Sequence, residues 1–391
     1  MNIIKKQILL LAITFFCGIS LPAQIITGAE QMERYLPILH EKSVAVCCNQ
    51  TSVIAATHLV DSLTCRGVYI AKIFAPEHGF RGEAEAGATI HSTTDERTGI
   101  PIVSLYGNNK KPTSEQLKDV DIIVFDIQDV GCRFFTYIST LHYVMEATAA
   151  HNIPVLIFDR PNPNGYFVDG PVLEEKQKSF VGMHPVPVVY GMTIGEYAQM
   201  INGEKWLEKD LVCDLQIIDC KNYTHSSRYS LPIKPSPNLG SDEAIYLYPS
   251  LCLFEGTDIS VGRGTTTPFQ IFGHPNLTYG DYYFTPEPIK GVSENPPQKG
   301  KKCRGFNLTH EINPESDNNF FNISYLLNAY NHFPKEMKFF TNPDFFDKLA
   351  GNSTLRWQII NGKTEEEIRA SWQPALEKFK EIRNKYLIYP E

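Results

Sequence analysis

Short apolar runs alternate with segments of helical periodicity between residues 41 and 160. Runs such as Ile122-Ile123-Val124-Phe125 are apolar at every position, which is typical of strands covered by helices on both faces. Strands that alternate with helices in this way predict an α/β domain built on a doubly wound, mostly parallel sheet. The predicted strands are residues 43–48, 68–75, 101–105, 122–125 and 153–158, and the predicted helices are residues 53–65, 113–118 and 136–150.

The same alternation continues to about residue 218. It predicts strands at 186–190 and 211–218, with a helix at 193–202 between them. Thr193 and Glu196 have the spacing of a capping box and mark the start of that helix.

The composition changes after about residue 268, where Pro, Gly and Tyr become frequent. This part reads as irregular or short antiparallel structure, and helical patterns then return at 322–330, 343–350 and 365–386. The pattern predicts a first domain over residues 24–268 and a second, smaller α+β domain over 269–391.

Residues 1–23 have the features of a secretory signal. Lys5 and Lys6 precede an apolar run over residues 8–16, and Ala23 offers a small residue at a plausible cleavage point. A membrane anchor is the alternative, but the run is far shorter than the roughly 20 residues of a span. We expect export to the periplasm or the medium, with no membrane anchor after cleavage.

Charge and cysteine content narrow the classes of partner. The net charge is −8 and long Lys/Arg runs are missing, which argues against nucleic acid as a partner. The nine cysteines include no Cys-x-x-Cys pair, so a zinc cage is not indicated. Buried free thiols are favoured over disulfides, although an exported protein permits both.

Polar clusters follow three of the predicted strands directly. They are residues 76–82 (PEHGFRG), 126–133 (DIQDVGCR) and 159–163 (DRPNP). Because ligands of open parallel sheets bind beyond the carboxyl ends of the strands, these clusters are expected to meet in one crevice. The alternative is that Asp126 and Asp159 only cap the helices that follow them.

A fourth cluster, residues 255–265 (EGTDISVGRGT), is rich in small and hydroxyl residues. Its backbone N–H groups suit an anion, but it lacks the spacing and lysine of a nucleotide-binding loop, so sugar or carboxylate contacts fit better. Metal-protease and serine-hydrolase motifs are missing as well. What remains is carboxylate chemistry, such as glycoside hydrolysis with a carboxylic acid at the leaving oxygen.

At these clusters the sequence resembles the NamZ/YbbC family of exo-β-N-acetylmuramidases, which are peptidoglycan glycoside hydrolases. The matching stretches are residues 76–82, 126–133, 135–137, 159–165 (DRPNPNG), 190–196 (YGMTIGE), 235–238 (PSPN) and 255–265. The resemblance implies a Rossmann-like first domain, a smaller second domain and a cleft between them. It also implies release of N-acetylmuramic acid (MurNAc) from non-reducing ends of peptidoglycan fragments, without a metal or nucleotide cofactor.

The resemblance places the catalytic carboxylate on Glu77. Our hypothesis is that Glu77 is the general acid and that Asp126 or Asp129 orients water or substrate. The other members of the matching motifs are substrate-binding candidates: His78, Arg81, Gln128, Arg133, Tyr137, Asn162, Glu255, Thr257, Ser260 and Arg263. A selective site needs a cation for the lactyl carboxylate of MurNAc, and Arg81, Arg133 or Arg263 would supply it.

Two other classes of function remain open at this point. A periplasmic protein that binds muropeptides or sugars without cleaving them would use the same crevice. A metal-dependent hydrolase or deacetylase would lose activity on chelation, which we do not expect.

Overall fold

The computed structural model describes residues 24–77, 79–81, 93–312 and 321–391. The predicted signal segment, the candidate His78 and residues 82–92 of the loop after Glu77 lie outside the described residues.

The described strands and helices follow in chain order. The strands are β1 (Val44–Cys48), β2 (Val53–Ile54), β3 (Thr57–His58), β4 (Ile70–Ala75), β5 (Thr93–Thr94), β6 (Pro101–Ser104), β7 (Ile122–Asp126), β8 (Val155–Phe158), β9 (Leu215–Ile218), β10 (Ile271–His274), β11 (Tyr282–Phe284) and β12 (Cys303–Asn307). The α-helices are α1 (Met32–Leu39), α2 (Leu59–Cys65), α3 (Ser114–Leu117), α4 (Tyr137–Ala149), α5 (Ile194–Gly203), α6 (Asp242–Leu251), α7 (Ser324–Asn331), α8 (Pro343–Ala350), α9 (Thr354–Ile360) and α10 (Glu365–Arg383). Short 3₁₀ turns occupy Gly28–Glu30, Glu175–Gln177, Glu208–Asp210 and Cys252–Gly256.

A seven-stranded sheet forms the first domain, in the order β5–β6–β4–β1–β7–β8–β9. Every neighbouring pair is parallel except the short β5, which is antiparallel to β6. The chain winds outward from β1 through β4 to β6, and then returns to β7 on the other side of β1. The crevice of such a sheet opens where the winding reverses, beyond the carboxyl ends of β1 and β7. The predicted fold class is confirmed.

The strands beside this reversal are buried on both faces, as their continuous apolar runs predicted. All five residues of β1 and of β7 are buried, and so are all four of β8. Helix α5 also begins as predicted, because Thr193 accepts from the Glu196 backbone and the Glu196 carboxylate accepts from the Thr193 backbone N–H.

Two predicted elements are wrong. Residues 53–65 do not form one helix: β2 and β3 make a hairpin whose turn places Ala55 at φ 52°, and α2 starts only after His58 caps it. Residues 186–190 are buried but form no strand, since Val189 makes only isolated bridges to Cys132 and Asp169. Their apolar side chains pack in the core, but the backbone joins no β-ladder. An apolar run alone does not distinguish a buried strand from a buried irregular segment.

The second domain contains a three-stranded antiparallel sheet, β10–β12–β11, together with helices α7 to α10. This confirms the smaller α+β domain, while its boundary at residue 268 stays a prediction. The described cysteines are all free thiols, and all but the exposed Cys65 are buried. Within the described ranges, no helix has both the length and the apolar character needed to cross a bilayer.

Candidate functional site

A cleft of about 550 Å³ lies beyond the carboxyl ends of the sheet strands, against the segment that follows α6. Its volume is that of a small-molecule site. Residues up to the end of α6 contribute Glu77, Tyr106, Phe134, Phe135, Thr136, Tyr137, Phe180, Val181, Ser236, Leu239 and Tyr248. The residues after α6 contribute Cys252, Glu255, Thr257, Ile259, Val261, Arg263, Phe269, Ser293, Asn295, Pro297, Phe345 and Leu349.

Glu77 lines this cleft two residues after the end of β4. The Thr136 hydroxyl, at the start of α4, donates to Glu77 Oε2 at 3.2 Å. Tyr106, which follows β6, also hydrogen-bonds Glu77; burial, followed by the neighbouring Glu77 charge, raises the pKa of Tyr106. The predicted position of Glu77 at a strand end over the crevice is what the structure shows, and hydroxyl groups from two other elements orient it.

An aromatic wall runs from the Glu77 end of the cleft to the second domain. We use this name for Tyr137, Phe135, Tyr248 and Phe269, whose rings meet edge to face at centroid distances of 4.8, 5.9 and 5.0 Å in that order. The Tyr137 hydroxyl donates to the Pro235 carbonyl at 3.3 Å, which fixes the ring. All four residues are buried, so the rings form a rigid apolar backing on this side of the cleft.

The fourth sequence cluster reaches the cleft through three of its predicted members. Glu255 and Arg263 line it and form an ion pair, with Arg263 Nε donating to Glu255 Oε1 at 2.7 Å. Thr257 also lines the cleft, and its hydroxyl donates to the Phe254 carbonyl. Ser260 is fully buried and accepts from the Gly262 backbone N–H, so it supports the loop instead of facing the cleft.

Asp126 does not reach the cleft, contrary to its predicted contact with water or substrate. It is fully buried and forms a two-pronged ion pair with Arg160, at 2.5 Å from Nε and 2.9 Å from Nη2. The two charges neutralise each other behind the strand ends, so the structure gives Asp126 a supporting role.

Asp129 is also buried and does not line the cleft. Its Oδ2 accepts from the Tyr190 hydroxyl and from the Gly131 backbone N–H, while Oδ1 has no hydrogen-bond partner among the described residues. Burial raises the pKa of Asp129 to about 7, against the smaller opposing effect of the Tyr190 hydrogen bond. The structure does not place it where it would orient a substrate.

Four more predicted binding residues are engaged in the framework. Arg81 pairs with Asp95 at 2.9 Å, and Arg133 is fully buried and donates to the carbonyls of Pro171, Val186 and Leu349. Gln128 donates to the carbonyls of Asp129 and Pro161, and Asn162 donates to that of Met192. None of them lines the cleft, so we assign them no direct contact with a ligand.

Asp159 takes the capping role that the sequence left open. Its carboxylate accepts from the Gly195 backbone N–H at 2.8 Å and from the Thr193 hydroxyl at 2.7 Å, at the start of α5. Within the part of the chain that the structure describes, no group of three or more His, Cys, Asp or Glu side chains is arranged to hold a metal ion.

Sequence reasoning missed several cleft residues, among them Tyr106, Thr136, Tyr248 and Phe269. Ligands of open parallel sheets bind beyond the carboxyl ends of the strands, and we call this the strand-end rule. Tyr106 directly follows the predicted strand 101–105, so the rule that placed Glu77 in the crevice would have placed Tyr106 there as well. Thr136 lies inside the matching stretch 135–137, but nothing in the sequence gave the direction of its hydroxyl.

Comparison with known proteins agrees with this architecture. Sequence models of the N-terminal and C-terminal parts of exo-beta-N-acetylmuramidase NamZ match residues 44–243 and 246–389. The peptidoglycan beta-N-acetylmuramidase NamZ of Bacillus subtilis (strain 168) is 40% identical over 337 residues, which are 82% of this chain and 80% of that protein.

Two crystal structures of DUF1343 family proteins from Bacteroides fragilis have the same fold. One is 47% identical with a TM-score of 0.88, covering 94% of this chain and 100% of the other. The second is 29% identical with a TM-score of 0.79, covering 93% and 99%. The two matched sequence models together span both domains and the cleft between them, and the chain therefore belongs to the exo-β-N-acetylmuramidase NamZ family of glycoside hydrolases.

Proposed function

We propose that this protein releases MurNAc from the non-reducing ends of peptidoglycan fragments, with Glu77 as its general acid. The observation that carries the proposal is the position of Glu77, a carboxylate that lines the cleft and is oriented by Thr136 and Tyr106. Membership of a muramidase family gives the reaction class, and the substrate named for the Bacillus subtilis relative gives its chemistry.

The proposed step is acid-assisted cleavage of the glycosidic bond. Glu77 donates its proton to the oxygen that links MurNAc to the next sugar, and the bond from that oxygen to the anomeric carbon breaks. The leaving sugar departs as an alcohol, and water adds its hydroxyl group to the anomeric carbon to complete the MurNAc product. The proton that this water loses is released to solvent, and Glu77 takes up a proton from solvent before the next turnover.

Glu77 and Glu255 are the carboxylates that line the cleft among the described residues. Glu255 is neutralised by Arg263, whereas Glu77 receives hydrogen bonds from hydroxyl groups. The orientation of Glu77 by these two hydroxyl groups supports Glu77 over the ion-paired Glu255 for the acid.

We also propose that the protein acts outside the cytoplasm. The support is the basic and apolar pattern of residues 1–23, together with a substrate that belongs to the cell wall. Expression with an epitope at the C-terminus, followed by cell fractionation, tests this: recovery only in the cytoplasm would contradict it.

The test of the activity uses the mature chain and a defined GlcNAc-MurNAc oligomer that carries MurNAc at its non-reducing end. We expect free MurNAc as the first product by mass spectrometry, and at least a roughly 1,000-fold lower rate for Glu77→Gln, a loss within the range of removing a general acid. Glu115→Gln, a change of an exposed glutamate that does not line the cleft, is the matched control and should keep the wild-type rate.

The result also separates the proposal from simple binding. Tight binding of the oligomer by calorimetry with no release of MurNAc would identify a muropeptide-binding protein. Full activity in Glu77→Gln would remove Glu77 from the acid role even if MurNAc is released by the wild type.

A further inference from the structure

We propose that Arg263 binds the lactyl carboxylate of MurNAc and so makes the cleft selective for MurNAc over N-acetylglucosamine, which lacks that group. This inference rests on the proposed function and names the residue that recognises its substrate. MurNAc differs from N-acetylglucosamine by one carboxylate, so a selective site must present a cation to it.

Arg263 is the one cationic side chain among the described residues that line the cleft. The other two arginines that the sequence suggested for this role are occupied elsewhere. Arg81 is held by Asp95, and Arg133 is buried on three backbone carbonyls. The structure thus reduces the three sequence candidates to one.

The Nε side of the Arg263 guanidinium is hydrogen-bonded to Glu255, and its two terminal nitrogens are the part that would bind a ligand. Only Nε has a hydrogen-bond partner among the described residues, namely Glu255 Oε1 at 2.7 Å. The two terminal nitrogens form the planar fork that suits a carboxylate with two parallel hydrogen bonds. The side chain is 20% exposed, which leaves it open to a ligand while restricting water.

Glu255 and Phe269 fix the orientation of this fork. Burial lowers the pKa of Arg263, but the charge and the hydrogen bond of Glu255 together with smaller contributions outweigh burial, so the net shift is upward and the guanidinium stays a cation. Its central carbon lies 5.0 Å from the centre of the Phe269 ring, at the end of the aromatic wall. The aromatic wall therefore has Thr136 and Glu77 at one end and Arg263 at the other.

The backbone on both sides of Arg263 has positive φ angles. Gly262 and Gly264 flank it at φ 77° and 80°, and a Cβ on Gly264 would lie 2.6 Å from the Glu287 carbonyl oxygen. Phe269 takes φ 57°, which is rare for a bulky residue and is found at functional sites. The segment 262–269 thus has unusual backbone conformations on both sides of the arginine and at its supporting ring.

The experiment compares two substrates in two variants. The substrates are the 4-nitrophenyl β-glycoside of MurNAc and its analogue in which the lactyl carboxylate is a carboxamide, which is similar in size but uncharged. For the wild type we expect kcat/KM to be roughly 10- to 100-fold higher for the carboxylate, since charge-assisted pairs are the stronger hydrogen bonds. For Arg263→Gln we expect that ratio to fall to within about threefold of unity.

Lys110→Gln is the matched control for loss of a positive charge near the cleft. Lys110 lies 4.5 Å from the ring centre of Phe180, a cleft residue, but does not line the cleft itself. We expect this variant to keep the wild-type ratio. Arg263→Lys should fall between the wild type and the glutamine variant, because it keeps the charge and loses the fork.

A wild-type ratio that persists in Arg263→Gln would overturn the inference, and so would an equal loss in the Lys110 control. The proposed function fails in a different way, with no nitrophenol released from the MurNAc glycoside by the wild type. Circular dichroism of Arg263→Gln, and its residual turnover of the carboxamide, show that a loss of preference is not a loss of fold.

Discussion

The hydroxyl of Thr136 donates a hydrogen bond of 3.2 Å to Glu77 Oε2, and it thereby joins the first turn of α4 to the end of β4. The two residues are 59 positions apart in the chain. Thr136 is the N-cap of α4, yet its side chain makes no capping hydrogen bond. Its hydroxyl therefore orients the Glu77 carboxylate and does not cap α4. A substitution that removes the hydroxyl can thus test the contact with Glu77 without removing a helix cap.

Thr136→Val should slow turnover about 3- to 10-fold, the value of one ordinary hydrogen bond, with little change in the thermal unfolding temperature. The reason is that Glu77 loses a donor that fixes its direction, while α4 loses no cap. Steady-state kinetics on a MurNAc glycoside measures the effect. Thr136→Ser keeps the hydroxyl and should stay near the wild type; equal activity of the valine and wild-type proteins would show that this contact does not matter.

Asp126→Asn should reduce the free energy of unfolding by about 3–5 kcal/mol, because it leaves the buried Arg160 cation without its partner. Turnover of the folded protein, measured well below the unfolding temperature, should stay within about threefold of the wild type. A threefold change in rate corresponds to less free energy than one ordinary hydrogen bond contributes. If a folded variant instead turned over roughly 100-fold more slowly, a loss typical of removing a catalytic acid or base, Asp126 would return to the role that the sequence suggested.

Asp347→Asn is the matched control for that change. It removes the carboxylate from a similar two-pronged pair with Arg356, at 2.8 and 2.7 Å. The Arg356 side chain is 27% exposed and water can replace its partner, so the loss of stability should be smaller than for Asp126→Asn. Urea unfolding of both variants gives the comparison.

The strand-end rule explains why so much of the site could be predicted. Continuous apolar runs revealed parallel strands, and the residues after them had to share one edge of the sheet. This located Glu77 correctly. The rule does not say which of the clustered charges faces the cleft and which is neutralised behind it, so it did not show that Asp126 and Asp129 lie away from the cleft.

Pairing between distant segments decided those assignments. Arg160 meets Asp126 because β7 and β8 are neighbours, and Arg81 meets Asp95 across 14 residues of the loop region. Spacing along the chain gives no distance between side chains on different strands. The same limit applies to Arg263, whose access to the cleft depends on how the segment after α6 packs against the strand ends.

The raised pKa of the buried Asp129 carboxyl predicts that the stability of the protein depends on pH. Burial raises its pKa to about 7 in the folded protein, while an unfolded chain releases the same proton near pH 4. Between these values the folded state holds more of this proton than the unfolded state, so the contribution of Asp129 to the free energy of unfolding should fall as pH rises from about 4 to about 7. Asp129→Asn, which mimics the protonated form, should remove this part of the slope.

Urea unfolding at pH 5 and pH 8 measures the difference. Relative to the wild type, Asp129→Asn should be more stable at pH 8 than at pH 5 by more than about 1 kcal/mol. Asp119→Asn, a change of an exposed carboxylate, is the control and should leave the slope unchanged. A wild-type slope in Asp129→Asn would mean that this carboxyl is already ionised in the folded state at pH 5.

The C-terminal segment after α10 packs against the first domain, and Tyr389 makes two buried hydrogen bonds there. Its hydroxyl donates to Asp159 Oδ2 at 2.6 Å and accepts from the Cys220 backbone N–H at 2.8 Å, both in buried surroundings. Tyr389→Phe would leave a buried carboxylate and a buried N–H short of a partner, so we expect a loss of about 1–3 kcal/mol in the free energy of unfolding.

Tyr386→Phe provides the comparison, because the Tyr386 hydroxyl donates to Glu204 at 2.7 Å where solvent can replace it. Its loss should be below about 1 kcal/mol. Since neither tyrosine lines the cleft, both variants should keep the wild-type KM for a MurNAc glycoside. An equal effect of the two substitutions on stability would show that the buried Asp159 contact is no stronger than a surface one, and a raised KM in Tyr389→Phe would couple the end of the chain to the cleft.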